Sequence, residues 1–248
     1  MRLSLLLFMD NVAKQSRLIM IGNKVYIEKT YTAEPGIIKW YLVSVSNLAV
    51  GVYPFKLKPH ERLENEVEFM RSKNTCFNKP EVVLVDYINL KLIREFVKGK
   101  VYNLQAPPLI HYLIAREIGK CHERGWAFGD SKITNFLYEG ENLYVVDAEQ
   151  ATSSGKVEYY AWDLLVLVST LLIDGYIKAL FSEADREKAF EYIIRGYLEG
   201  NSNGLEVLKL LRTTQFKTLL YLLIPFPLSY MFYRKIEEHL SQNSSLTS

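Results

Sequence analysis

The sequence predicts an α+β fold with two lobes, a small antiparallel β lobe followed by a larger helical lobe. Short apolar runs separated by turn residues fill the first third of the chain, which is the pattern of hairpin strands. Beyond residue 98 the apolar residues recur mostly at helical spacing. We therefore expect a β-rich N-terminal lobe at 1–97 and a helical C-terminal lobe at 98–248, which ends in an apolar extension.

The overall composition is that of a globular chain without a strong charge signature. The 248 residues suffice for one large domain or two small ones that share a cleft, and 49% of them are hydrophobic. The net charge of +2 is too balanced to indicate a direct nucleic-acid surface. The two cysteines, Cys76 and Cys121, predict no disulfide framework, and no Cys/His spacing suits zinc. A reducing, cytoplasmic environment is therefore the expectation.

Three strands are predicted at the start of the first lobe. The runs RLSLLLFM and RLIMI have strand length, and KVYIEKTY alternates apolar and polar residues after an IGNK turn. The expected strands are therefore 2–9, 17–22 and 24–31. We interpret the first run as a strand and not as a signal peptide, because a charged residue rather than a small-residue cleavage site follows it.

A helix and a second hairpin complete the first lobe. In HERLENEVEFMRS the apolar residues Leu63, Val67 and Met70 have helical spacing. The stretch EVVLVDYINLKLIREFV has the pattern of two strands that turn at Ile88-Asn89.

The second lobe is predicted to be mostly helical around one hairpin. The stretch PPLIHYLIAREIGKCHERG starts with prolines and ends with glycine, as helices often do. An EGEN turn between FLY and LYVVD predicts the hairpin. From residue 159 onward the pattern is helical.

The C-terminal end contains an uncharged run, TLLYLLIPFPLSYMFY, between Lys217 and Arg234. The run is shorter than the ~20 residues that span a bilayer. We expect a buried pair of helices broken at Pro225 and Pro227. The alternative is a peripheral membrane or protein contact through residues 218–233.

One stretch, GWAFGDSKITNFLYEGENLYVVDAEQA, carries two acids and an amide in an apolar context. Phosphoryl transfer needs an acid to orient an acceptor hydroxyl, oxygen ligands for Mg²⁺ and positive charge on the phosphates. Asp130 lies in a loop after a helix, where it suits the acceptor, and Lys132 can reach a terminal phosphate. Asn135 and Asp147 flank the predicted hairpin, which would make them neighbours. Each residue alone is more simply a turn cap or a strand end, whereas the set favours chemistry.

The same stretch resembles protein kinases. GDSKITN resembles the catalytic loop D-x-K-x-x-N, and VVDAEQA resembles the metal-binding D-F-G segment with Ala148-Glu149 in place of Phe-Gly. The resemblance is to small atypical kinases such as the kinase subunit of the KEOPS tRNA-modification complex, the lipopolysaccharide (Kdo) kinases and the RIO kinases. It implies ATP and Mg²⁺ as cofactors, with Mn²⁺ as an alternative. It assigns catalysis to Asp130 and Lys132, and metal binding to Asn135 and Asp147.

The resemblance extends to both sides of this stretch. LIREFVKGK resembles the last small-lobe strand and the hinge, which implies that backbone groups of Glu95 and Val97 meet adenine. AREIGKCHERG resembles the helix before the catalytic loop. AWDLLVL resembles the helix whose acid, Asp163 here, braces that loop.

The family pairs a lysine of the third strand with a helix glutamate, both at the nucleotide phosphates. Glu66 in NEVEFM fits the glutamate. Two lysines fit the other role: Lys29 ends VYIEK after the turn, and Lys39 lies closer to Glu66 in sequence. We prefer Lys29 because it leaves two strands before it, at the cost of a long insertion before Glu66.

The sequence also departs from the family. It has no G-x-G-x-x-G, and DNVAKQS stands where the phosphate-covering loop is expected. Phe128 and Gly129 replace the usual His or Tyr and the arginine that reads activation-loop phosphates, so we expect no activation by phosphorylation there. Asp147 and Asp163 are only sixteen residues apart, without an A-P-E segment. An extended peptide is therefore a poor acceptor.

The predicted function is ATP- and Mg²⁺-dependent phosphotransfer by an atypical serine/threonine protein kinase, which Lys132 favours over a small-molecule enzyme. A protein or small-molecule hydroxyl is the expected acceptor. The first alternative is a small-molecule, sugar or glycolipid (Kdo-type) kinase. The second is an ATPase switch subunit or a pseudokinase scaffold of a larger complex. The expected location is cytoplasmic, with membrane association as a variant.

Overall fold

The structure is a computed structural model, and it describes residues 16–31, 52–73, 76–177, 183–224 and 226–245. The strand expected at 2–9, most of the expected phosphate-covering loop, and Lys39 lie outside these residues.

A four-stranded antiparallel sheet in the order β1-β2-β4-β3 forms the first lobe. Its strands are β1 (Ser16–Ile21), β2 (Lys24–Thr30), β3 (Val82–Asp86) and β4 (Lys91–Glu95). The β3–β4 turn is closed by the Asp86 carboxylate, which accepts hydrogen bonds from the amides of Ile88 and Asn89. The two hairpins therefore lie where the turn signals predicted them, within a residue or two.

One helix, α1 (Pro59–Arg71), packs against this sheet and begins with a proline, as helices tolerate. Its Leu63 and Val67 form a small core with Tyr31 and Leu92 of the sheet region. Glu66 lies on the same face of α1, three residues after Leu63, and therefore faces β2, where it contacts Lys29.

The second lobe contains five short strands and six helices in the described residues. The strands are β5 (Lys100–Val101), β6 (Trp126–Ala127), β7 (Phe136–Glu139), β8 (Asn142–Val145) and β9 (Thr152–Ser153). They form a β5-β7-β8 sheet and a β6-β9 pair. The helices are α2 (Pro108–Glu123), α3 (Val157–Ile177), α4 (Glu183–Gly200), α5 (Gly204–Leu211), α6 (Thr214–Leu223) and α7 (Leu228–Ser245).

Close packing of α2 and α4 fixes the helix that leads into the site. A Cβ atom on Gly196 or Gly200 would lie 2.1 Å from the backbone oxygen of Tyr112 or Arg116. Glycine at these two positions therefore lets the helix backbones approach directly. The apolar α3 is buried beside them and carries Asp163 into the interior.

The structure joins Cys76 and Cys121 in a disulfide, which the sequence analysis did not predict. Their Cα atoms lie 5.4 Å apart, within the usual range for a disulfide. The bond connects the segment after α1 to α2. Two single cysteines 45 residues apart form no recognisable spacing pattern, and only the fold brings them together.

The C-terminal end forms the helix pair that the prolines predicted. Helices α6 and α7 lie on either side of Pro225 and Pro227, and within the described chain no helix is both long and apolar enough to span a membrane. The inner face is buried, while Leu222, Phe226 and Tyr230 are exposed. One face of the pair thus belongs to the core and another remains available for a contact.

Deletion of the chain from Thr218 onward is expected to unfold the protein. The deletion removes eight buried apolar side chains of the described residues, each contributing about 1.5–3 kcal/mol, from a fold whose total stability is of order 5–15 kcal/mol. They are Leu219, Leu220, Ile224, Leu228, Met231, Phe232, Ile236 and Leu240. Thermal unfolding followed by circular dichroism measures the effect, and Leu222→Ser on the exposed face is the control with little change. A truncated protein that melts like the full chain would contradict this prediction.

Candidate active site

Hydrogen bonds with residues of α3 fix the position of loop 128–135. The Asp163 carboxylate accepts hydrogen bonds from the amides of Phe128 and Gly129 at 2.6 and 2.7 Å, and Ser131 Oγ donates to the Asp163 carbonyl. Trp162 donates its indole N–H to the Gly129 carbonyl at 2.8 Å. A buried carboxylate that accepts two amides fixes a loop strongly, so Asp163 has the bracing position that the sequence implied.

Asp130 and Lys132 form an ion pair at the surface of this loop. Lys132 Nζ lies 2.7 Å from Asp130 Oδ2, and about a third of the Lys132 side chain is exposed. Although burial lowers the pKa of Lys132, the carboxylates of Asp130 and Asp147 raise it by more. Lys132 is therefore a cation at neutral pH, within reach of a ligand that approaches Asp130.

The β7–β8 hairpin brings Asn135 beside the segment that contains Asp147. Phe136 pairs with Val145, and the Val146 amide donates to the Asn135 carbonyl at 2.9 Å. The Asn135 side-chain amide donates to the Asp130 carbonyl at 2.7 Å. Asn135 is thus held beside Asp130 and beside the segment that contains Asp147, as the EGEN turn predicted.

Lys29 connects the two lobes. Its ammonium nitrogen lies 2.7 Å from Glu66 Oε2 on α1 and 2.9 Å from Asp147 Oδ1, and the side chain is only 2% exposed. Burial lowers the pKa of Lys29, but the surrounding carboxylates raise it well above its ordinary value. Burial raises the pKa of Asp147. The positive charges of Lys29 and Lys132 lower it by more, so the pKa of Asp147 lies below its ordinary value. Both groups are charged at neutral pH.

Glu149 and Arg62 are site residues that the sequence analysis missed. Glu149 Oε2 lies 3.0 Å from Lys29 Nζ and 2.5 Å from the Arg62 guanidinium. In the sequence, Glu149 stands out only as a departure from the kinase D-F-G pattern. The available signal was an acid two residues after Asp147 in an apolar stretch. With Glu66 and Asp147 it forms a cluster whose carboxylate oxygens lie within 4.8 Å of one another.

The segment before α1 packs over loop 128–135. The Tyr53 hydroxyl donates to the Gln150 carbonyl at 2.6 Å, and the Gln150 side-chain amide pairs with both backbone groups of Lys56. Gly129 has a φ of +69°, and a Cβ there would lie 2.3 Å from the Tyr53 ring. Gly129 is therefore required by the backbone and by Tyr53, which explains why no arginine stands at that position.

Glu95 is the last residue of β4, and Val97 lies two residues further on, at the link between the lobes. The Glu95 amide donates to the Glu81 carbonyl at 2.9 Å, so this amide is already engaged within the first lobe. Val97 is half-buried. The structure thus places both residues at the link, as the sequence implied.

Comparison with known proteins gives sequence relatives but no family-model match. KEOPS complex subunit Bud32 of Pyrococcus abyssi is 26% identical over 171 residues, which are 65% of this chain and 74% of Bud32. A probable bifunctional tRNA threonylcarbamoyladenosine biosynthesis protein of Methanosarcina mazei is 29% identical over 110 residues. These are 44% of this chain and only 20% of that protein.

Matches among solved structures include WaaP in complex with acyl carrier protein, with 14% identity and a TM-score of 0.41. That alignment covers 91% of this chain and 85% of WaaP. Amicoumacin kinase hAmiN has 8% identity and a TM-score of 0.42, over 93% of this chain and 89% of its own. TM-scores this low carry no argument, so the relation to known proteins rests on the sequence similarity to Bud32. The chain therefore has a two-lobed, protein-kinase-like fold, in which Lys29 joins the lobes through Glu66 and Asp147, and its sequence is similar to that of the atypical kinase-like subunit Bud32.

Proposed function

We propose that the chain is an ATP-dependent phosphotransferase that uses a divalent cation. The observation that carries the proposal is the position of Lys29, which contacts Glu66 and Asp147 from 37 and 118 residues away. Lys29 would bind the α- and β-phosphates with Glu66 orienting it, and backbone groups of Glu95 and Val97 would meet adenine. We keep the lobes at 1–97 and 98–248 as the corresponding division of the chain.

The residues around Asp147 fit a hard cation such as Mg²⁺, with Mn²⁺ as an alternative. Carboxylate and amide oxygens are the ligands that Mg²⁺ prefers, and Asp147 and Asn135 offer one of each beside the hairpin. A bound cation would neutralise charge on the phosphates. In the structure Asp147 contacts Lys29. When cation and nucleotide bind, contacts of Asp147 with the cation and of Lys29 with phosphate would replace this contact.

Asp130 and Lys132 would act on the acceptor. The oxygen of the acceptor hydroxyl would form a bond to the γ-phosphorus while Asp130 accepts the hydroxyl proton. The bond between the γ-phosphorus and the bridging oxygen would break, and ADP would leave with that oxygen. Lys132, 2.7 Å from Asp130, would neutralise the transferred group. The Asp163 contacts keep both residues in place without reorganisation.

A serine or threonine hydroxyl of a folded protein is the first candidate acceptor. Similarity to Bud32, named as a subunit of the KEOPS complex, supports a protein partner. A cytoplasmic location stays a prediction, and the Cys76–Cys121 disulfide argues against the reducing environment on which it was based. The same similarity favours, as the second candidate, an ATPase switch subunit of a complex. A sugar or glycolipid acceptor remains the further alternative, and the exposed Leu222, Phe226 and Tyr230 would suit a partner or a lipid surface.

Incubation with γ-labelled ATP tests the proposal and separates the acceptors. With Mg²⁺ we expect label in a protein, in a small molecule or in free phosphate, and none of these without a divalent cation. The matched control is Asp147→Asn, purified and folded in the same way. Absence of label from all three fractions, together with no ATP-induced thermal shift, would contradict phosphotransfer.

A further inference from the structure

The Lys29 ammonium is part of a closed ring of contacts. Lys29 contacts Glu66 at 2.7 Å, and Glu66 accepts a hydrogen bond from the Tyr31 hydroxyl. The Arg62 guanidinium lies 5.9 Å from the Tyr31 ring centroid and pairs with Glu149. Glu149 returns to Lys29 at 3.0 Å. The ring therefore connects β2, α1 and the segment after Asp147.

Glu149 is the member of the ring that belongs to the second lobe. One of its carboxylate oxygens contacts both cations, and it is only 4% exposed, while Arg62 is 1% exposed. The contact between Arg62 and Glu149 spans 87 residues of sequence and holds α1 against the second lobe. Desolvated, hydrogen-bonded charges of this kind are costly to separate.

The charge balance of the cluster indicates what Glu149 does when a nucleotide binds. Two cations, Lys29 and Arg62, face three carboxylates, Glu66, Asp147 and Glu149. Glu149 keeps Arg62 paired when Asp147 is committed to a divalent cation and Lys29 to phosphate. Without the charge of Glu149, Arg62 would lose this ion pair with or without nucleotide, which favours movement of Arg62 and α1 towards solvent.

We propose that Glu149 is a positioning residue, which holds Lys29 and the Arg62 side of α1 in register with Asp147 across the two lobes. The inference rests on the proposed phosphotransfer function, because it explains how that site stays assembled. Gln150 supports the same connection, since its side-chain amide pairs with both backbone groups of Lys56. In this proposal the contact between the two lobes depends on residues 149 and 150 rather than on a phosphorylated activation loop.

Substitution of Glu149 by glutamine tests the proposal, because it removes the charge and keeps the shape. We expect turnover of MgATP to fall at least tenfold, while MgATP affinity stays within about threefold because Lys29 keeps its charge and still attracts phosphate. Amide hydrogen exchange in residues 59–71, measured without nucleotide, should become at least tenfold faster. The matched control is Glu158→Gln on α3, an exposed carboxylate, with neither effect.

The double variant Arg62→Gln with Glu149→Gln separates positioning from general damage. Neutralising both partners leaves no unmatched charge, so the double variant should lose no more turnover than Glu149→Gln alone. Losses that multiply in the double variant would overturn the proposal. So would Glu149→Gln with turnover and exchange within twofold of wild type, or faster exchange with normal turnover. If the wild-type protein binds MgATP without turnover, the function proposal fails, and exchange in residues 59–71 alone decides this inference.

Discussion

Replacing Lys29 by alanine is expected to reduce phosphate transfer by at least about a hundredfold, the scale of losing a preorganised charge contact to the reacting group. Its ammonium is buried between Glu66, Asp147 and Glu149, so no other donor occupies that position in the described structure. Transfer from γ-labelled ATP measures the loss. Lys24→Ala on the same hairpin, where the side chain is exposed, should stay near wild type.

The substitution also removes the cation from two buried carboxylates, Glu66 and Glu149, and from the partly buried Asp147, so stability should fall as well. Rates are therefore compared at equal folded fraction, which thermal unfolding of each variant establishes. Lys39→Ala is expected to be near normal in the same assay. An active Lys29→Ala protein with an inactive Lys39→Ala protein would transfer the phosphate-binding role to Lys39 and leave phosphotransfer itself standing.

Replacing Asp130 by asparagine is expected to abolish transfer while Mg²⁺-dependent ATP binding survives. The substitution keeps the shape of the side chain and removes the interaction made with the acceptor in the transition state, together with the charge that pairs with Lys132. ATP at a hundred times its dissociation constant should still stabilise this variant by about 2.7 kcal/mol. Thermal shifts with and without Mg²⁺ measure binding, and the γ-labelled ATP assay measures transfer. Loss of nucleotide binding in Asp130→Asn would refute the assigned role.

Replacing Asp147 by asparagine is expected to fail in a different way. The amide gives up a charged ligand to a hard cation, so most of the Mg²⁺ dependence of ATP stabilisation should disappear together with transfer. It also weakens the 2.9 Å contact with Lys29, a second reason for loss of function. Full magnesium dependence and normal turnover in this variant would show that Asp147 holds no metal. The two acids therefore serve as controls for each other.

The local parts of the candidate site are readable in the sequence. Asp130, Lys132, Asn135 and Asp147 lie within 18 residues of one another, and a single hairpin with a recognisable turn brings the last two together. The hairpins of the first lobe and the broken helix pair at the end were predictable for the same reason. Periodicity and turn residues report contacts between close sequence neighbours.

The long-range parts were decided only by the tertiary structure. Lys29 reaches Asp147 across 118 residues, Arg62 reaches Glu149 across 87, and Cys76 reaches Cys121 across 45. No local pattern marks such partners, because they meet only after α1 packs on the sheet and both lobes are in place. The sequence by itself therefore determined the fold class and the acids of one loop and hairpin. The packing of α1 decided which charged groups face those acids, since burial forces each charge to find a partner.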